Sequence, residues 1–360
     1  MPADPPASAL ISLDHEGIVI RKGRRSGVYT IVAVHSTTLG RALGGCRMWR
    51  YASSADAARD ALRLSRAMTF KAAAAGLSLG GGKAVISLPP GPPPQGKARR
   101  AVLEDFADSV AVLEGAYVTA EDVGTSSRDM NVIAERTKWV TGLPRTRGGS
   151  GDPSPFTALG VEAAMRASCE RVFGSSSLKG RTVAVVGAGR VGSRVARLVS
   201  RAGAKVLLTD IDDSKRALAD ELENTRWTDP TTATLADVDI LAPCALGGVI
   251  DGHNVDRLRC AIVCGAANNQ LAHDGVADDL RQRGILYSPD FIANAGGLIN
   301  VATELDPEGY DEKRTKQRVL GIEQTIERIY DEADRAAATP LRAAYALARR
   351  RLADAGAELE

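Results

Sequence analysis

Three side chains in the first third of the chain are of types that move protons in an apolar setting. Lys71 stands in AMTFKAAAAG, Lys83 twelve residues later in LSLGGGKAVI, and Asp122 in TAEDVGTSSRDM, between the apolar run AYVTA and Gly124. Burial and a second cation nearby both favour the neutral form of an amine, which can then act as a base near neutral pH, and functional carboxylates often sit where Asp122 is expected, at a strand end. Gly80, Gly81 and Gly82 precede the second lysine. Glycines on an apolar strand edge remove side-chain bulk, so a ligand can approach the backbone and the lysine can project into a closed site. Taken singly, each lysine reads as a solvated surface charge and the aspartate as a turn or helix-capping residue; the apolar context argues otherwise. The four histidines, His15, His35, His253 and His273, stand far apart, and no H-E-x-x-H or C-x-x-C-H string occurs. The chemistry is therefore expected to rest on something other than histidine, with no metal.

A second constellation lies past the middle. Gly187, Gly189 and Gly192 form G-A-G-R-V-G after the apolar run TVAVV and before a helical pattern. A lone fingerprint of this kind is weak evidence, but this placement is the one its mechanism requires. The first glycine allows a tight turn, the second lets the backbone approach a pyrophosphate, and the third permits close helix–strand packing. The helix N-terminus adds amide donors for an anion. Asp210 ends the next apolar run, 21 residues past Gly189, where a carboxylate accepts hydrogen bonds from ribose hydroxyls and repels a 2′-phosphate. A dinucleotide cofactor, NAD in preference to NADP, follows, with Asp212 and Asp213 able to share the acidic role.

The elements that must position these residues can be read from periodicity. Gly17–Ile20 and Val28–Val34 around RKGRRSG predict a β-hairpin. Ala58, Leu62, Ser65, Met68 and Ala72 recur at helical spacing after Ser54, with Gly76 as the stop. PPGPPPQG at 89–96 is a loop before a helical pattern at 97–114. GGSGDPSP at 148–155 marks a domain boundary and a hinge, after which TVAVVG, KVLLTD, VDILAP, AIVCG and GILYSPD alternate with helical stretches, as in a parallel βαβ sheet. Val319, Ile322, Ile326 and Ile329 predict one long amphipathic helix, broken by Pro340 before a last one. The expected architecture is α/β with two domains separated by a cleft. Residues 1–148 form an α/β substrate and oligomerisation domain, and 149–330 a Rossmann NAD-binding domain. Residues 331–360 form a helix that packs back on the first domain.

Bulk properties exclude several classes. The 360 residues suit two domains. The 46 basic and 44 acidic residues are interspersed, leaving a net charge of +2 and no basic stripe for nucleic acid. No run reaches the ~18 apolar residues of a membrane span, and MPADPPASALISL lacks the pattern of a secretion signal. Cys46, Cys169, Cys244, Cys260 and Cys264 are odd in number with no C-x-x-C pair. Reduced, mostly buried thiols and a cytoplasmic protein follow.

Eight ordered strings carry a resemblance that spans nearly the whole chain: GGCRM (44–48), FK-x10-GK (70–83), TAEDVGT (119–125), PSPFTALGV (153–161), GAGRVG, APCALGG (242–248), GAANNQL (265–271) and PDFIANAGGLINVATEL (289–305). Together they resemble the glutamate, leucine, phenylalanine and valine dehydrogenase family. The resemblance implies NAD-dependent, reversible oxidative deamination of an L-amino acid to its 2-oxo acid and ammonia, in a symmetric homo-oligomer. It implies that Lys71 binds the substrate α-carboxylate with help from Gly44, Gly45 and Met68. Lys83 then activates the water that attacks the iminium carbon, and Asp122 shuttles protons to and from the amine. Thr157, Gly187, Gly189, Arg190, Val191, Gly192, Asp210, Cys244, Ala245, Ala266 and Ala267 fall at its cofactor positions. Asn268 and Asn294 match polar residues at cofactor and substrate. Arg47 looks structural.

Specificity is argued by the same resemblance. Glutamate-specific members place a lysine and a serine where this chain has Leu43 and Val301; with Ala120 and Leu298 the side-chain pocket becomes apolar. A γ-carboxylate buried there loses its hydration without a partner, at a cost of several kcal/mol, so glutamate is rejected and leucine, valine or isoleucine expected. Phenylalanine is the alternative, because one methylene discriminates by only ~1–3 kcal/mol. Cys46 departs from the threonine usual in branched-chain members. A 2-hydroxy-acid dehydrogenase, which pairs histidine with a carboxylate, and an NAD-binding regulatory protein are the rival readings; scarce histidine opposes the first and the Lys71, Lys83, Asp122 set the second.

Overall fold

The computed structural model describes residues 13–357. The reading of the first twelve residues as lacking an export signal, and the last three residues of the expected terminal helix, lie outside that range. The described residues divide into two compact units, one of 13–72, 78–147 and 355–357, the other of 73–77 and 148–354.

The first unit opens with the hairpin β1 (Gly17–Lys22) and β2 (Tyr29–Ser36), followed by β3 (Ala42–Trp49), α1 (Ser54–Ala74), β4 (Gly80–Ser87), α2 (Gly96–Ala111), β5 (Tyr117–Glu121) and α3 (Ser127–Ala134). The sheet order is β1-β2-β4-β3-β5, antiparallel across β1, β2 and β4 and parallel across β4, β3 and β5. Strand alternation and this register put Leu43, Gly45 and Arg47 of β3, Gly81, Lys83 and Val85 of β4, and Val118 and Ala120 of β5 on one face. Helix α1 covers that face, with Ala57, Ala61 and Leu62 packed among Ile31, Ala33 and Val85. The opposite face buries Cys46, Met48, Ala84, Ile86 and Tyr117 against Val102, Leu103 and Phe106 of α2.

The three glycines before Lys83 correct the sequence-based expectation. They lie in an interior strand, and protein fills the space their side chains would take. A Cβ would fall 1.9 Å from the Ser36 carbonyl oxygen at Gly80, 2.0 Å from the Thr69 amide at Gly81 and 2.5 Å from the Tyr117 ring at Gly82. The glycines admit the backbone of α1 and a core tyrosine, not a ligand. Gly81→Ala is therefore expected to lower unfolding free energy by roughly 4 kcal/mol or more, because helix backbone must move. Gly17, whose Cβ would meet nothing within 4 Å, should tolerate alanine. Urea titration of both variants checks this, and coincident midpoints would refute the close approach.

The second unit alternates helix and strand: α4 (Ser154–Phe173), β6 (Thr182–Val186), α5 (Gly192–Arg201), β7 (Lys205–Thr209), α6 (Ala217–Asp220), β8 (Thr225–Trp227), α7 (Pro230–Thr234), β9 (Asp237–Pro243), β10 (Arg259–Val263), α8 (Val276–Gln282), β11 (Leu286–Tyr287), α9 (Asp290–Ala293) and α10 (Gly296–Ala302). Its six strands are all parallel, in the order β11-β10-β9-β6-β7-β8. Read from β8, that is the order of doubly wound dinucleotide-binding sheets, with the strand order reversing between β6 and β9. The expected long helix is two, α11 (Glu312–Leu320) and α12 (Ile322–Arg335), parted at Gly321. Its apolar row Val319, Ile322, Ile326 and Ile329 is buried throughout. Pro340 opens α13 (Pro340–Ala357), whose Arg351 donates to the Ala73 and Ala74 carbonyls at the end of α1.

Candidate active site

In the first unit, β4 holds Lys83 at 8% side-chain exposure, and its Nζ lies 2.7 Å from Asp122 Oδ2. The charge beside Lys83 is thus a carboxylate, where the sequence reading invoked a second cation. Asp122 follows the last residue of β5 in a turn pinned to β3. Its amide donates to Thr125 Oγ1 (2.9 Å), Thr125 Oγ1 donates to the Cys46 carbonyl (2.8 Å), and the Met48 amide donates to the Val123 carbonyl (2.9 Å). Gly124 is required within this turn: its φ is +82°, and a Cβ would stand 2.0 Å from the Met48 carbonyl oxygen. Arg99 of α2 clamps the turn from outside, donating to the Gly124 carbonyl (2.8 Å) and to both oxygens of Asp129 (2.7 Å each). Asp129 in turn forms a capping box with Ser126 at the start of α3.

Arg47, which the sequence reading took as structural, touches Asp122 directly. Its Nε donates to Asp122 Oδ2 (3.2 Å) and one terminal nitrogen donates to Asp60 Oδ2 (2.8 Å); Tyr51 (2.7 Å) and Arg63 (2.9 Å) complete the shell of Asp60. Burial by itself would raise the Asp122 carboxyl, but the Lys83 ammonium and then the Arg47 guanidinium outweigh it and hold the group below its ordinary range. The only signal for Arg47 was its place two residues beyond Gly45 on the strand that carries the glycine pair.

Lys71 and Met68, both half-buried, lie near the C-terminal end of α1, on either side of Thr69, the residue whose backbone rests on Gly81. Leu43 and Ala120 are buried in the same unit at 1% and 6% exposure. Gly44 and Gly45 cannot carry side chains, since a Cβ would fall 1.7 Å from the Gly82 carbonyl oxygen and 2.8 Å from Asp122 Cβ respectively. The Tyr117 hydroxyl donates to the Gly44 carbonyl (2.6 Å). The Cys46 thiol is packed in the core, and burial above all pushes its pKa well up, so it stays protonated.

In the second unit, the loops after β6 and β9 meet where the strand order reverses. Gly187 has φ +110°, with Ala245 filling the space beside it; at Gly192 a Cβ would lie 1.9 Å from the Gly187 carbonyl oxygen; at Gly189 nothing lies within 4 Å. The turn, the close packing and the open approach are thus divided among the three glycines as dinucleotide binding demands. Asp210 accepts from the Ala188 amide (2.6 Å) and the Asp212 amide (3.0 Å), so its carboxylate sits at the mouth of this turn. Arg190 is exposed and Val191 half-buried ahead of α5. Cys244 and Ala245 follow β9, and burial pushes the Cys244 thiol up to about 12.

Asn294, buried at the end of α9, donates to Asn268 Oδ1 (2.8 Å) and to the Ala266 carbonyl (3.1 Å), tying α9 to the GAANN loop, of which Ala267 is buried. Asn268, not Asn269, is the partner, since Asn269 adopts φ +52° at the turn. Thr157 Oγ1 donates to the Pro153 carbonyl (3.1 Å) in the first turn of α4 and stands 2.5 Å from where a Gly297 Cβ would be. Leu298 and Val301 of α10 are buried. Among the described residues, no three His, Cys, Asp or Glu side chains are grouped to hold a metal ion, and no helix is long and apolar enough to cross a membrane.

Comparison with known proteins agrees with both halves. Residues 16–139 match the family model for the Glu/Leu/Phe/Val dehydrogenase dimerisation domain, and 208–358 match that for glutamate/leucine/phenylalanine/valine dehydrogenase. Residues 161–245 also match the NAD-binding domain of D-isomer specific 2-hydroxyacid dehydrogenases, a likeness confined to part of the second unit. The chain is 44% identical to a leucine dehydrogenase of Thermoactinomyces intermedius, over 89% of this chain and 86% of that protein. It is also 44% identical to a valine dehydrogenase of Streptomyces virginiae, over 95% and 94%. Among solved structures, an L-tryptophan dehydrogenase from Nostoc punctiforme is 36% identical and superposes with a TM-score of 0.81, covering 95% of this chain and 98% of that one. On this evidence the chain belongs to the glutamate/leucine/phenylalanine/valine dehydrogenase family.

Proposed function

We propose that this amino-acid dehydrogenase uses NAD to deaminate a branched-chain L-amino acid, leucine, valine or isoleucine, reversibly to its 2-oxo acid and ammonia. The observation that carries the reading is the 2.7 Å contact of a buried lysine with a strand-end carboxylate on a face that, Arg47 apart, is built of glycine, leucine, valine and alanine. Lys71 binds the substrate carboxylate, aided by the Gly45 backbone. Lys83 holds and polarises the water that adds to the imine carbon, and Asp122 exchanges protons with the nitrogen.

The second unit supplies the cofactor site. Gly189 leaves the approach to the pyrophosphate open, the α5 N-terminus offers amide donors, and Asp210 accepts from the ribose hydroxyls while repelling a 2′-phosphate. When bound, NAD accepts a hydride from the substrate Cα. Thr157, Asn268 and Asn294 orient substrate and nicotinamide.

Leu43 and Ala120 in the first unit, and Leu298 and Val301 in the second, offer no charge to a substrate side chain. The two relatives at 44% identity act, by name, on leucine and valine. The dimerisation-domain match and the five free cysteines support a homo-oligomer working in the reducing cytoplasm, in branched-chain amino-acid breakdown. A screen of the twenty amino acids with NAD, read as NADH absorbance at alkaline pH, tests this. Leucine, valine or isoleucine should rank first and glutamate should give no signal; highest turnover with glutamate or an aromatic amino acid would overturn the substrate assignment.

A further inference from the structure

Arg47 has no role in the reaction just described, yet it touches the proton carrier. Its guanidinium is shared between two carboxylates, Asp122 at 3.2 Å and Asp60 at 2.8 Å. Asp60 is itself held by the Tyr51 hydroxyl and by Arg63, so the Arg47 fork is fixed from behind. Lys83 and Arg47 both meet Asp122 on Oδ2. Arg47, Tyr51, Asp60 and Val123 also line a surface cavity of about 590 Å3, which neither Asp122 nor Lys83 lines. Arg47 therefore borders that cavity and also touches the carboxylate, whose side chain is 22% exposed.

We propose that Arg47 is a positioning residue: bridged between Asp60 and Asp122, it fixes Oδ2 of Asp122 beside Lys83 and leaves Oδ1 to exchange protons with the substrate nitrogen. Oδ1 takes one proton from the substrate ammonium, leaving the neutral amine, and returns it to the departing nitrogen as ammonia is released. The planar fork spans two carboxylates at once, which a lysine ammonium cannot do with the same geometry. This inference rests on the reading of Asp122 as proton carrier.

The test uses the full-length enzyme with NAD and its best amino acid. Arg47→Ala should lower kcat by ~10–100-fold, less than the ~100–10,000-fold that full loss of general acid–base assistance costs, with KM changed less than threefold and a larger solvent deuterium isotope effect. Guanidinium ion, admitted by the cavity, should restore much of kcat, whereas methylammonium should not. Asp60→Asn, which leaves Asp122 untouched, should show the same split to a smaller degree. Unchanged kcat in both variants, or equal rescue by both cations, overturns the proposal. If Arg47→Ala does not fold, Arg47→Lys and Asp60→Asn decide on the same kcat and isotope readouts. Asp122→Asn separates the two levels: activity retained there removes the proton-carrier reading, while activity lost there beside wild-type behaviour in the Arg47 and Asp60 variants removes only this inference.

Discussion

Lys83→Ala enzyme is expected to form NADH from leucine roughly a thousand- to ten-thousand-fold more slowly than wild type, with its affinity for NAD nearly unchanged. The rate should fall because, in the proposed reaction, the water adding to the imine carbon loses its activating group, and Asp122 loses the nearer of its two cations. NAD affinity persists because the glycine turn and Asp210 belong to the other unit. Stopped-flow NADH absorbance gives the first quantity and fluorescence titration with NADH the second. Turnover within tenfold of wild type would remove Lys83 from the chemistry, and a parallel loss of both would point to a folding defect. Arg47 still partners Asp122 in the variant, so the carboxylate is not left alone and the protein should remain folded.

The second large effect separates two glycines three residues apart. Gly189→Ala adds a methyl group where the protein leaves open space, so its melting temperature without cofactor should match wild type. NAD affinity should fall by roughly 100-fold, because that space is the one the pyrophosphate needs. Gly192→Ala drives a methyl group to 1.9 Å from the Gly187 carbonyl oxygen, so both the turn and the cofactor affinity should suffer. Melting curves with and without NAD distinguish the cases, since cofactor binding raises the melting temperature by mass action. A Gly189→Ala enzyme that keeps the full NAD-induced shift would contradict the assigned approach of the phosphates.

The parts of this site that were legible in the sequence are those encoded locally. The glycine spacing, the strand before it, the helix after it and Asp210 at the next strand end fall within 29 residues, and Gly187 and Gly192 each have a local steric reason to be there. The contact of Lys83 with Asp122 was out of reach of spacing alone. It spans 39 residues and depends on β3 lying between β4 and β5, a register that no single segment specifies. The same non-local order explains why Gly80–Gly82 were misread, since a glycine run looks alike in an edge strand and an interior one. Arg47 was read as structural, with its contact to Asp122 unforeseen, because its partners, Asp60 and Asp122, come from a helix after it and a turn far beyond it. The helix expected after Asp311 was right in its buried face and wrong in its continuity, because a single glycine inside an apolar period does not announce a break.

Strand alternation on the α1 face has a consequence for how such an enzyme diversifies. Along β3, Leu43 and Arg47 flank Gly45 on that face, and along β5, Ala120 stands two residues before Asp122. The groups proposed to move protons and those proposed to present shape are thus interleaved on the same strands, two residues apart. On that proposal, exchange of the shape-giving positions should retune which amino acid is accepted while Lys83 and Asp122 keep their 2.7 Å spacing, so new selectivities become reachable by single steps.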